Sequence, residues 1–536
     1  MHSARRYDVV VVGAGPVGLT AALLLERGGA RVALIEAAER PGDLPRAISI
    51  ADETFRIMSR LGIADALKAE SLLDTGSRYF GRNDRLLASS RPVPSRIGHP
   101  AKSQFDQPVL EELLWDRAAS APGIDFLTGR RAVAITQNAT GVTATLEQGD
   151  PAAPDSVTGD WLIGADGGRS FVRDALGVPL VGSTQQERWI VIDLLDVPGQ
   201  REPFAEFHGN GTRPYVLVPG IKGRLRLEYM LFAHEDPDVM TAPARILELV
   251  RPFHPHVRPE HIRRAAVYVA HQRVARSYRV GRAFLVGDAA HLMPPFSGQG
   301  LNAGLRDALN ISWKLLEARR GVAGPRLLDT YQSERRRHGA KMMKISRRTG
   351  AVVMAVGRVR AGARDALFRT VSVVPAVHEY LARMRFITPP DYRNGVAVPA
   401  SRDIDRRLAA WVGFALGQPT VAAADGRTSP LDDHLGEGWA LVELGGGAEA
   451  SPTDPYWAAL GTQYVRLTRE AASASALHDT VGMLALPDLQ QPHWVVVRPD
   501  RFVAAVFTRG SERAVIRALR AYVDPEPRSS DHGNDA

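Results

Sequence analysis

The sequence predicts an α/β fold in which a Rossmann-like domain is interrupted by a β-rich block and followed by a smaller α/β module. Three observations lead to this prediction. The first 36 residues alternate as strand, glycine-rich turn, helix and strand, and residues 180–275 consist mainly of strand-like segments. Near Pro399 the pattern changes to short strands with one helix at the end. A chain of 536 residues has room for about three domains of usual size.

These changes of pattern divide the chain into six expected segments. Residues 1–180 and 276–345 form the two parts of the Rossmann-like domain, and residues 181–275 form the inserted β-rich block. The other segments are a helical connection, the C-terminal module and a disordered polar tail, at residues 346–398, 399–523 and 524–536.

The composition excludes several classes of chemistry. The chain has no cysteine, which rules out disulfides, thiolate metal sites and a redox dithiol. Its net charge of +8 is spread along the chain rather than gathered into basic blocks, so no nucleic-acid partner is expected. The N-terminus lacks the regions of a signal peptide, and glycines interrupt the longest apolar run, at residues 9–25. We therefore expect a cytoplasmic protein without an integral membrane segment.

The first glycine-rich turn carries a specific functional signal. Gly13, Gly15 and Gly18 form a G-x-G-x-x-G motif after a buried strand and before a helix, and Glu36 ends the next strand. The first glycine permits a tight turn, the second lets a pyrophosphate approach, and the third lets helix and strand pack closely. The helix N-terminus favours phosphate, and Glu36 is placed to accept hydrogen bonds from a ribose. The motif predicts dinucleotide binding, but alone it does not separate FAD from NAD.

Two further corners between a strand and a helix bear on that choice. The stretch GADGGRSFVR at residues 164–173, taken alone, favours a purely structural corner. The stretch GDAAHLMPPFSGQGLNAG at residues 287–304 has an aspartate where a polyol chain could hydrogen-bond. Its glycine backbone could also lie against a flat ring.

The motifs together resemble one enzyme family. In this order, GAGPVG, PRAISI at residues 45–50, GADGGRS and the 287–304 stretch are similar to those of the single-component FAD-dependent aromatic hydroxylases. RPYV at residues 213–216 and LLDTYQSERR at residues 327–336 resemble the 3-(3-hydroxyphenyl)propionate hydroxylase branch. The resemblance is strong over residues 5–345 and loose in the C-terminal module, which resembles a thioredoxin-like domain.

Carried over position by position, the resemblance implies FAD as the cofactor and NADH or NADPH as a co-substrate without a domain of its own. The implied FAD-binding residues are Gly13, Gly15, Gly18, Glu36, Arg46, Gln107, Asp166, Asp288, Pro295, Gly298, Gly300, Leu301 and Asn302. Motifs for a resident metal, such as HExxH, are absent from the sequence.

The resemblance also implies a reaction. Reduced FAD and O2 form a flavin C4a-hydroperoxide, which hydroxylates a small phenolic substrate while the protein orients the ring and excludes water. This chemistry needs no side-chain nucleophile, and we assign no catalytic residue. Substrate contacts are expected from strands of the β-rich block, where Tyr215, His208 and His271 carry polar tips, with Tyr215 the preferred candidate. A half-buried structural role is an equally good interpretation of each.

Several alternatives are open at this stage. A hydroxylase of a polyketide or antibiotic ring would share the same motifs, and a non-catalytic flavin-binding protein would share the cofactor site. A flavin disulfide reductase is excluded because the chain has no cysteine, and a flavin halogenase because its WxWxIP signature is absent. Without cysteine, the C-terminal module cannot perform thiol chemistry, so a packing role or a role in forming a homodimer is favoured.

Overall fold

A computed structural model describes residues 6–147, 155–199, 201–294, 298–353, 355, 357–372, 379, 389–445, 454–469 and 476–525. Its strands are β1 Arg6–Val12, β2 Val32–Ile35, β3 Ser49–Ala51, β4 Ser71–Leu72, β5 Gly76–Phe80, β6 Leu86–Ser90, β7 Lys102–Phe105, β8 Ile124–Leu127, β9 Ala132–Gln137, β10 Val142–Leu146, β11 Ser156–Gly164, β12 Leu180–Leu194, β13 Phe204–His208, β14 Tyr215–Pro219, β15 Leu225–Leu231, β16 Ile262–Ala275, β17 Arg279–Val280, β18 Ala283–Leu285, β19 His291–Leu292, β20 Thr420–Ala422, β21 Thr428–Pro430, β22 Ala440–Leu444, β23 Gln463–Thr468, β24 Leu477–Asp479, β25 His493–Val497 and β26 Val503–Phe507.

The helices of the described residues are α1 Pro16–Arg27, α2 Asp52–Arg60, α3 Ala64–Ala69, α4 Gln107–Ala119, α5 Phe171–Ala175, α6 Pro237–Met240, α7 Pro243–Val250, α8 Gly300–Arg319, α9 Thr330–Val353, α10 Arg358–Ser372, α11 Arg406–Ala409, α12 Pro455–Ala459 and α13 Glu512–Leu519. None of these helices combines the length and the apolar character needed to cross a bilayer. The α/β class predicted from the sequence is confirmed.

The first large sheet is the nucleotide-binding one. Its strands run in the order β17-β18-β11-β1-β2-β8, and the hairpin β9–β10 continues from β11. The strands β18, β11, β1, β2 and β8 are parallel to one another. Helices α1 and α8 pack together beside them. Because crossovers bury both sides of a parallel sheet, β2 and residues 9–12 of β1 are apolar and buried.

The second large sheet has the order β19-β16-β12-β15-β14-β13-β5-β6. One side packs against α6 and α7 through the aliphatic residues of β12 and β15. The opposite side, which we call the inner face, carries Trp189, Val216 and Met230 and packs against Ile48 of the first domain. The inner face therefore lies against the segment that joins the nucleotide-binding sheet to β3.

A separate three-stranded sheet has the order β3-β7-β4. A third large sheet, β21-β20-β24-β23-β22-β25-β26, forms the C-terminal module. Within it β22, β23 and β24 are parallel, whereas β25 and β26 form an antiparallel hairpin beside β22. The module has its own core, and Trp313 of α8 packs into part of it.

Candidate active site

The three glycine-rich motifs of the sequence meet at one edge of the nucleotide-binding sheet. In the pairing register, Val12 at the end of β1 lies beside Gly164 of β11, and Gly164 lies beside Leu285 of β18. Because these strands are parallel, the turns that follow them emerge at the same edge. In open α/β sheets this edge is where ligands bind. One groove therefore collects residues that are far apart in the sequence.

The first turn has the shape of a phosphate cradle. Gly13 has φ of +101°, and a Cβ there would lie 2.6 Å from the carbonyl oxygen of Ala165. A Cβ on Gly18 would lie 1.9 Å from the carbonyl oxygen of Gly13, so both positions require glycine for packing. Beside Gly15 there is open space within 4 Å, and helix α1 begins there without a side-chain cap. Free N–H groups at a helix N-terminus with open space in front fit a pyrophosphate.

Glu36 is fixed by the backbone around it. One carboxylate oxygen accepts a hydrogen bond from the N–H of Ala14 at 2.7 Å, and the other accepts from the N–H of Ala38 at 2.9 Å. The side chain is half-buried, and each of its oxygens keeps a lone pair for a further hydrogen bond beside the glycine turn. This geometry fits a residue that accepts from ribose hydroxyls.

Gln107 contacts the segment before β3, and Arg46 belongs to that segment. The amide oxygen of Gln107 accepts from the N–H of Ala47 at 2.6 Å, so the buried Gln107 holds this segment in place. The side chain of Arg46 is exposed. The carboxylate of Asp288 opens to the groove but has protein atoms around it, which raise its pKa, while the charges of His291 and Arg46 oppose that increase. Arg46 is therefore close enough to influence the charge of Asp288.

Asp288 differs from the residues that flank it. Gly287 and Ala289 are buried, whereas the side chain of Asp288 is exposed to the groove. Gly287 adopts φ of +58°, and a Cβ there would come within 3.2 Å of Val17, so the turn that presents Asp288 packs closely on α1. An acidic side chain presented in this way fits the hydroxyl-rich part of FAD.

Asp166 has a local structural contact that the sequence does not reveal. Its carboxylate accepts from the hydroxyl of Ser170 and from the N–H of Val172 at 2.9 Å, which secures the start of α5. Gly167, with φ of +80°, has open space beside it. At this corner the geometry brings the backbone, rather than a free carboxylate, to the groove.

The loop before α8 closes the other end of the groove. The amide oxygen of Asn302 accepts from Ala51 N–H at 2.9 Å, and its amide nitrogen donates to Gly298 O at 2.7 Å. Asn302 therefore ties the loop to β3 through a buried side chain. Gly300 has open space beside it, Leu301 is half-buried, and Pro295 lies outside the described residues.

The three candidate substrate residues lie elsewhere. The ring of Tyr215 stacks on His208 with centroids 4.2 Å apart and contacts Phe253, on the side of the sheet opposite to the inner face. The Nδ1 atom of His208 lies 2.9 Å from a carboxylate oxygen of Asp84. His271 forms a hydrogen bond with Thr184. It lies on the same side of β16 as Val267, which packs in the same hydrophobic cluster as Tyr215, away from the inner face. The structure does not bring these three side chains to the groove.

The inner face instead presents residues that the sequence analysis missed. Trp189 lies beside Tyr268 on one neighbouring strand and beside Met230 on the other, and Phe207 and Val216 continue the apolar wall. Strand alternation is the signal that could have found Val216, because it follows Tyr215 directly and must point to the other side of the sheet.

One hydrogen-bonded pair interrupts this apolar wall. The hydroxyl of Tyr268 donates to a carboxylate oxygen of Glu228 at 2.9 Å. Burial raises the pKa of Glu228 and places the pKa of Tyr268 well above its ordinary value. The pair is therefore a neutral hydroxyl and a buried acid that can exchange a proton or a hydrogen bond with a ligand.

Arginines of the same sheet hold the segment before β3 against the inner face. Arg226 pairs with Asp193 at 2.6 Å and donates to the carbonyl oxygens of Arg46 and Pro45, each at 2.8 Å. Arg264 also donates to Pro45. The cofactor edge and the inner face are thus joined by charge-assisted hydrogen bonds, which are stronger than neutral ones.

Comparison with known proteins agrees with this geometry. Residues 6–346 match the family described as FAD binding domain, and residues 413–522 match the HcaD C-terminal domain. The site therefore belongs to a flavoprotein. A 3-(3-hydroxy-phenyl)propionate/3-hydroxycinnamic acid hydroxylase of Mycolicibacterium smegmatis is 37% identical, with 94% of this chain and 91% of the relative aligned. One of Burkholderia vietnamiensis is 34% identical over 98% of each chain.

Solved structures give the same result at lower identity. The flavin-dependent monooxygenase PieE, solved with FAD and substrate, has a TM-score of 0.80 at 24% identity and covers 96% of this chain and 98% of its own. Aklavinone-11 hydroxylase, solved with FAD and aklavinone, has a TM-score of 0.75 at 25% identity, covering 97% and 99%. The chain belongs to the family of FAD-dependent aromatic hydroxylases and is a monooxygenase that uses FAD.

Proposed function

We propose that this chain hydroxylates the ring of a phenolic acid of the 3-(3-hydroxyphenyl)propionate type, with O2 and NADH or NADPH as co-substrates. The observation that carries the proposal is the inner face, where an aromatic wall with one hydroxyl–carboxylate pair lies beside the cofactor edge. The names of the two relatives at 37% and 34% identity support the same substrate class.

The groove residues divide into two groups under this proposal. The turn from Gly13 to Gly18 and Glu36 bind the pyrophosphate and adenosine part of FAD, and Asp288 with the loop before α8 binds the rest. Bound FAD supplies the oxygen-activating chemistry. The wall of Trp189 and Met230 then orients the substrate ring and keeps water out, which favours hydroxylation over the release of H2O2.

The pair formed by Tyr268 and Glu228 is proposed to hold the phenolic hydroxyl. Electron density at the ring carbon rises as the phenol loses its proton, so an acceptor at this oxygen favours oxygen transfer to the ring. Tyr268 can accept the phenolic hydrogen bond while its own hydroxyl donates to Glu228. The pair thus serves as a buried proton acceptor without opening the cavity to solvent.

The domain division expected from the sequence is retained as part of the proposal. Strand β12 begins at Leu180 and strand β16 ends at Ala275, which supports an inserted block at residues 181–275. The parallel strands β22–β24 with the adjoining hairpin β25–β26 support a thioredoxin-like C-terminal module with a packing role. Light scattering on the purified protein tests whether it also forms a homodimer.

A turnover assay with product analysis tests the proposed function. The purified protein should be yellow, and 3-(3-hydroxyphenyl)propionate should stimulate NADH or NADPH oxidation and yield a product heavier by one oxygen atom. Benzoates and resorcinols serve as matched alternatives in the same assay. If every phenol yields only H2O2, the hydroxylase proposal is wrong and the chain acts as a flavoprotein without this activity.

A second candidate is a hydroxylase of a larger polycyclic ring. The likeness to aklavinone-11 hydroxylase at a TM-score of 0.75 favours it, although the identity is 25% against 37% for the phenylpropionate relative. Including an anthracycline-type ring in the substrate panel separates the two, because the favoured substrate should give the higher kcat/KM.

A further inference from the structure

Lys102 lies at the inner face although it belongs to another sheet. It begins β7, where it pairs with Ala51 of β3, and its Nζ donates to the hydroxyl of Ser77 at 3.0 Å. Ser77 shares its side of β5 with Tyr79, whose ring stacks on Phe207 of the inner face with centroids 5.1 Å apart. The ammonium group of Lys102 therefore lies beside the apolar wall of the inner face.

This ammonium group has no counter-ion among the described residues. Ser77 is its hydrogen-bond partner there, and no carboxylate forms an ion pair with it. Burial alone lowers the pKa of Lys102 to about 8. Enclosing a charged amine without an opposite charge costs free energy, so lysine is rarely buried unless it is paired. A cation at the inner face with no opposite charge beside it among the described residues points to an anionic group on the ligand.

The register of the sheet places the strand that carries Ser77 and the hydroxyl-binding pair at opposite ends of one row of residues. Tyr79, Phe207, Val216 and Glu228 lie side by side on four successive strands. Three strand spacings separate the backbone of Tyr79 from that of Glu228 by about 14 Å. One end of this row therefore offers a cation, the middle offers apolar surface, and the other end offers a hydroxyl–carboxylate pair.

We propose that Lys102 binds the carboxylate of the substrate's side chain and so selects phenolic acids over neutral phenols. A phenol with a short acidic side chain matches the row in order: hydroxyl at Tyr268, ring over the apolar wall, carboxylate at Lys102. This inference rests on the proposed function, because it assigns the acidic end of the same substrate.

A comparison of an acid with its neutral amide tests the proposal. The holoenzyme is titrated with 3-(3-hydroxyphenyl)propionate and with 3-(3-hydroxyphenyl)propanamide, and Kd is measured from the change in flavin absorbance. In Lys102→Met the Kd of the acid should rise by about 10- to 100-fold, the gain expected of a charged hydrogen bond, while the Kd of the amide changes little. FAD content should be unchanged.

Lys222→Met is the matched control, because Lys222 is exposed and pairs with Glu70 on the surface. It should leave both Kd values unchanged. An equal loss of acid and amide binding in Lys102→Met would overturn the proposal, as would an unchanged Kd for the acid. If Lys102→Met fails to fold, Lys102→Gln keeps a donor for Ser77 and removes the charge.

The wild-type protein alone also tests the idea. It should bind the acid at least about tenfold more tightly than the amide, and equal affinity overturns the assignment without any variant. These binding constants do not depend on turnover. A protein that binds the acid selectively but forms no hydroxylated product would therefore refute the proposed function and leave the carboxylate site intact.

Discussion

Lys314 is fully buried and Lys102 is partly buried, and the surroundings of the two lysines differ. Lys314 on α8 donates to a carboxylate oxygen of Glu334 and to the amide oxygen of Asn310, each at 2.8 Å. Glu334 also forms an ion pair with Arg498 of the C-terminal module, and Arg498 forms a second ion pair with Asp500. We call Lys314, Glu334, Arg498 and Asp500 the interdomain ion network. Within the described part of the chain, Lys102 has the hydroxyl of Ser77 as its partner.

The difference separates two uses of buried charge. In the interdomain ion network every charge has an opposite partner, so the network joins α8, which begins in the cofactor loop, to the C-terminal module. Removing one partner there leaves the opposite charge buried without compensation, which destabilises the fold. At the inner face the charge of Lys102 faces no carboxylate among the residues that the structure describes, so a ligand can supply the opposite charge.

The largest effect is expected in the interdomain ion network. Arg498→Met should lower the free energy of unfolding by about 3–5 kcal/mol, because Glu334 and Asp500 lose a shared buried partner. Chemical denaturation of the holoenzyme measures this loss. Arg427→Met, at an exposed pair with Asp425, is the control and should change stability by less than about 1 kcal/mol. Equal losses in the two variants would contradict the distinction between compensated and surface charges.

Acid should weaken the same network. Burial alone would raise the pKa of Glu334, but Arg498 and Lys314 lower it to about 2, below the ordinary value of 4.5. A lowered folded-state pKa stabilises the protein above pH 4.5, and the contribution is lost as pH falls towards 2. The difference in thermal midpoint between wild type and Glu334→Gln should therefore shrink over this range. A difference that stays constant with pH would mean that Glu334 does not titrate in this way.

The next effect concerns the cofactor. Asp288→Ala should weaken FAD binding by about 10- to 100-fold, since an exposed carboxylate aimed at the groove loses its hydrogen bonds to the ligand. FAD retained after gel filtration and the Kd of reconstitution measure this change. Asp174→Ala, at an exposed residue of α5, serves as the control and should keep its flavin. Full flavin retention in Asp288→Ala would count against the assignment.

A smaller effect is expected at the hydroxyl-binding pair. Tyr268→Phe removes the donor to Glu228 and the proposed acceptor of the phenolic hydrogen bond. The fraction of NAD(P)H that is coupled to product should fall by about tenfold, with H2O2 released instead. Peroxide and product are measured in the same reaction. If coupling is unchanged, the phenolic hydroxyl does not bind at this pair.

The smallest effect is expected on the outer side of the same sheet. Tyr215→Phe keeps the ring that stacks on His208 and packs against Phe253, and Tyr215 lies away from the inner face. KM and coupling should stay within about twofold of wild type, as is usual for a change away from the reacting groups. A large rise in KM would restore Tyr215 as the substrate contact that its sequence motif suggests.

The cofactor edge was accessible to sequence reasoning because its determinants are local. The turn at Gly13 follows from a short pattern of glycines between a strand and a helix, and it occurs as predicted. The inner face was not accessible in the same way. Strand β15 is buried at all seven positions, so the alternation of apolar and polar residues does not reveal which side faces the groove.

The remaining parts of the site could not be predicted from the sequence, because they depend on pairing between strands that are far apart in the chain. Strand β5 pairs in parallel with β13, so Gly76 lies beside Phe204 although more than a hundred residues separate them. This pairing extends the β-rich block beyond residues 181–275 and brings Ser77, and with it Lys102, to the inner face. Nothing in the local sequence around Lys102 marks it as part of a site, because its isolation from carboxylates exists only in the folded chain.

The most direct test of the account is the fate of O2 during turnover. The holoenzyme is supplied with NADH or NADPH, 3-(3-hydroxyphenyl)propionate and heavy-isotope O2, and the product is analysed by mass spectrometry. The account predicts a hydroxylated phenolic acid that carries one heavy oxygen atom, formed in step with the NAD(P)H consumed. Oxidation of NAD(P)H with H2O2 as the sole oxygen-derived product, for this and every other phenol supplied, would contradict it.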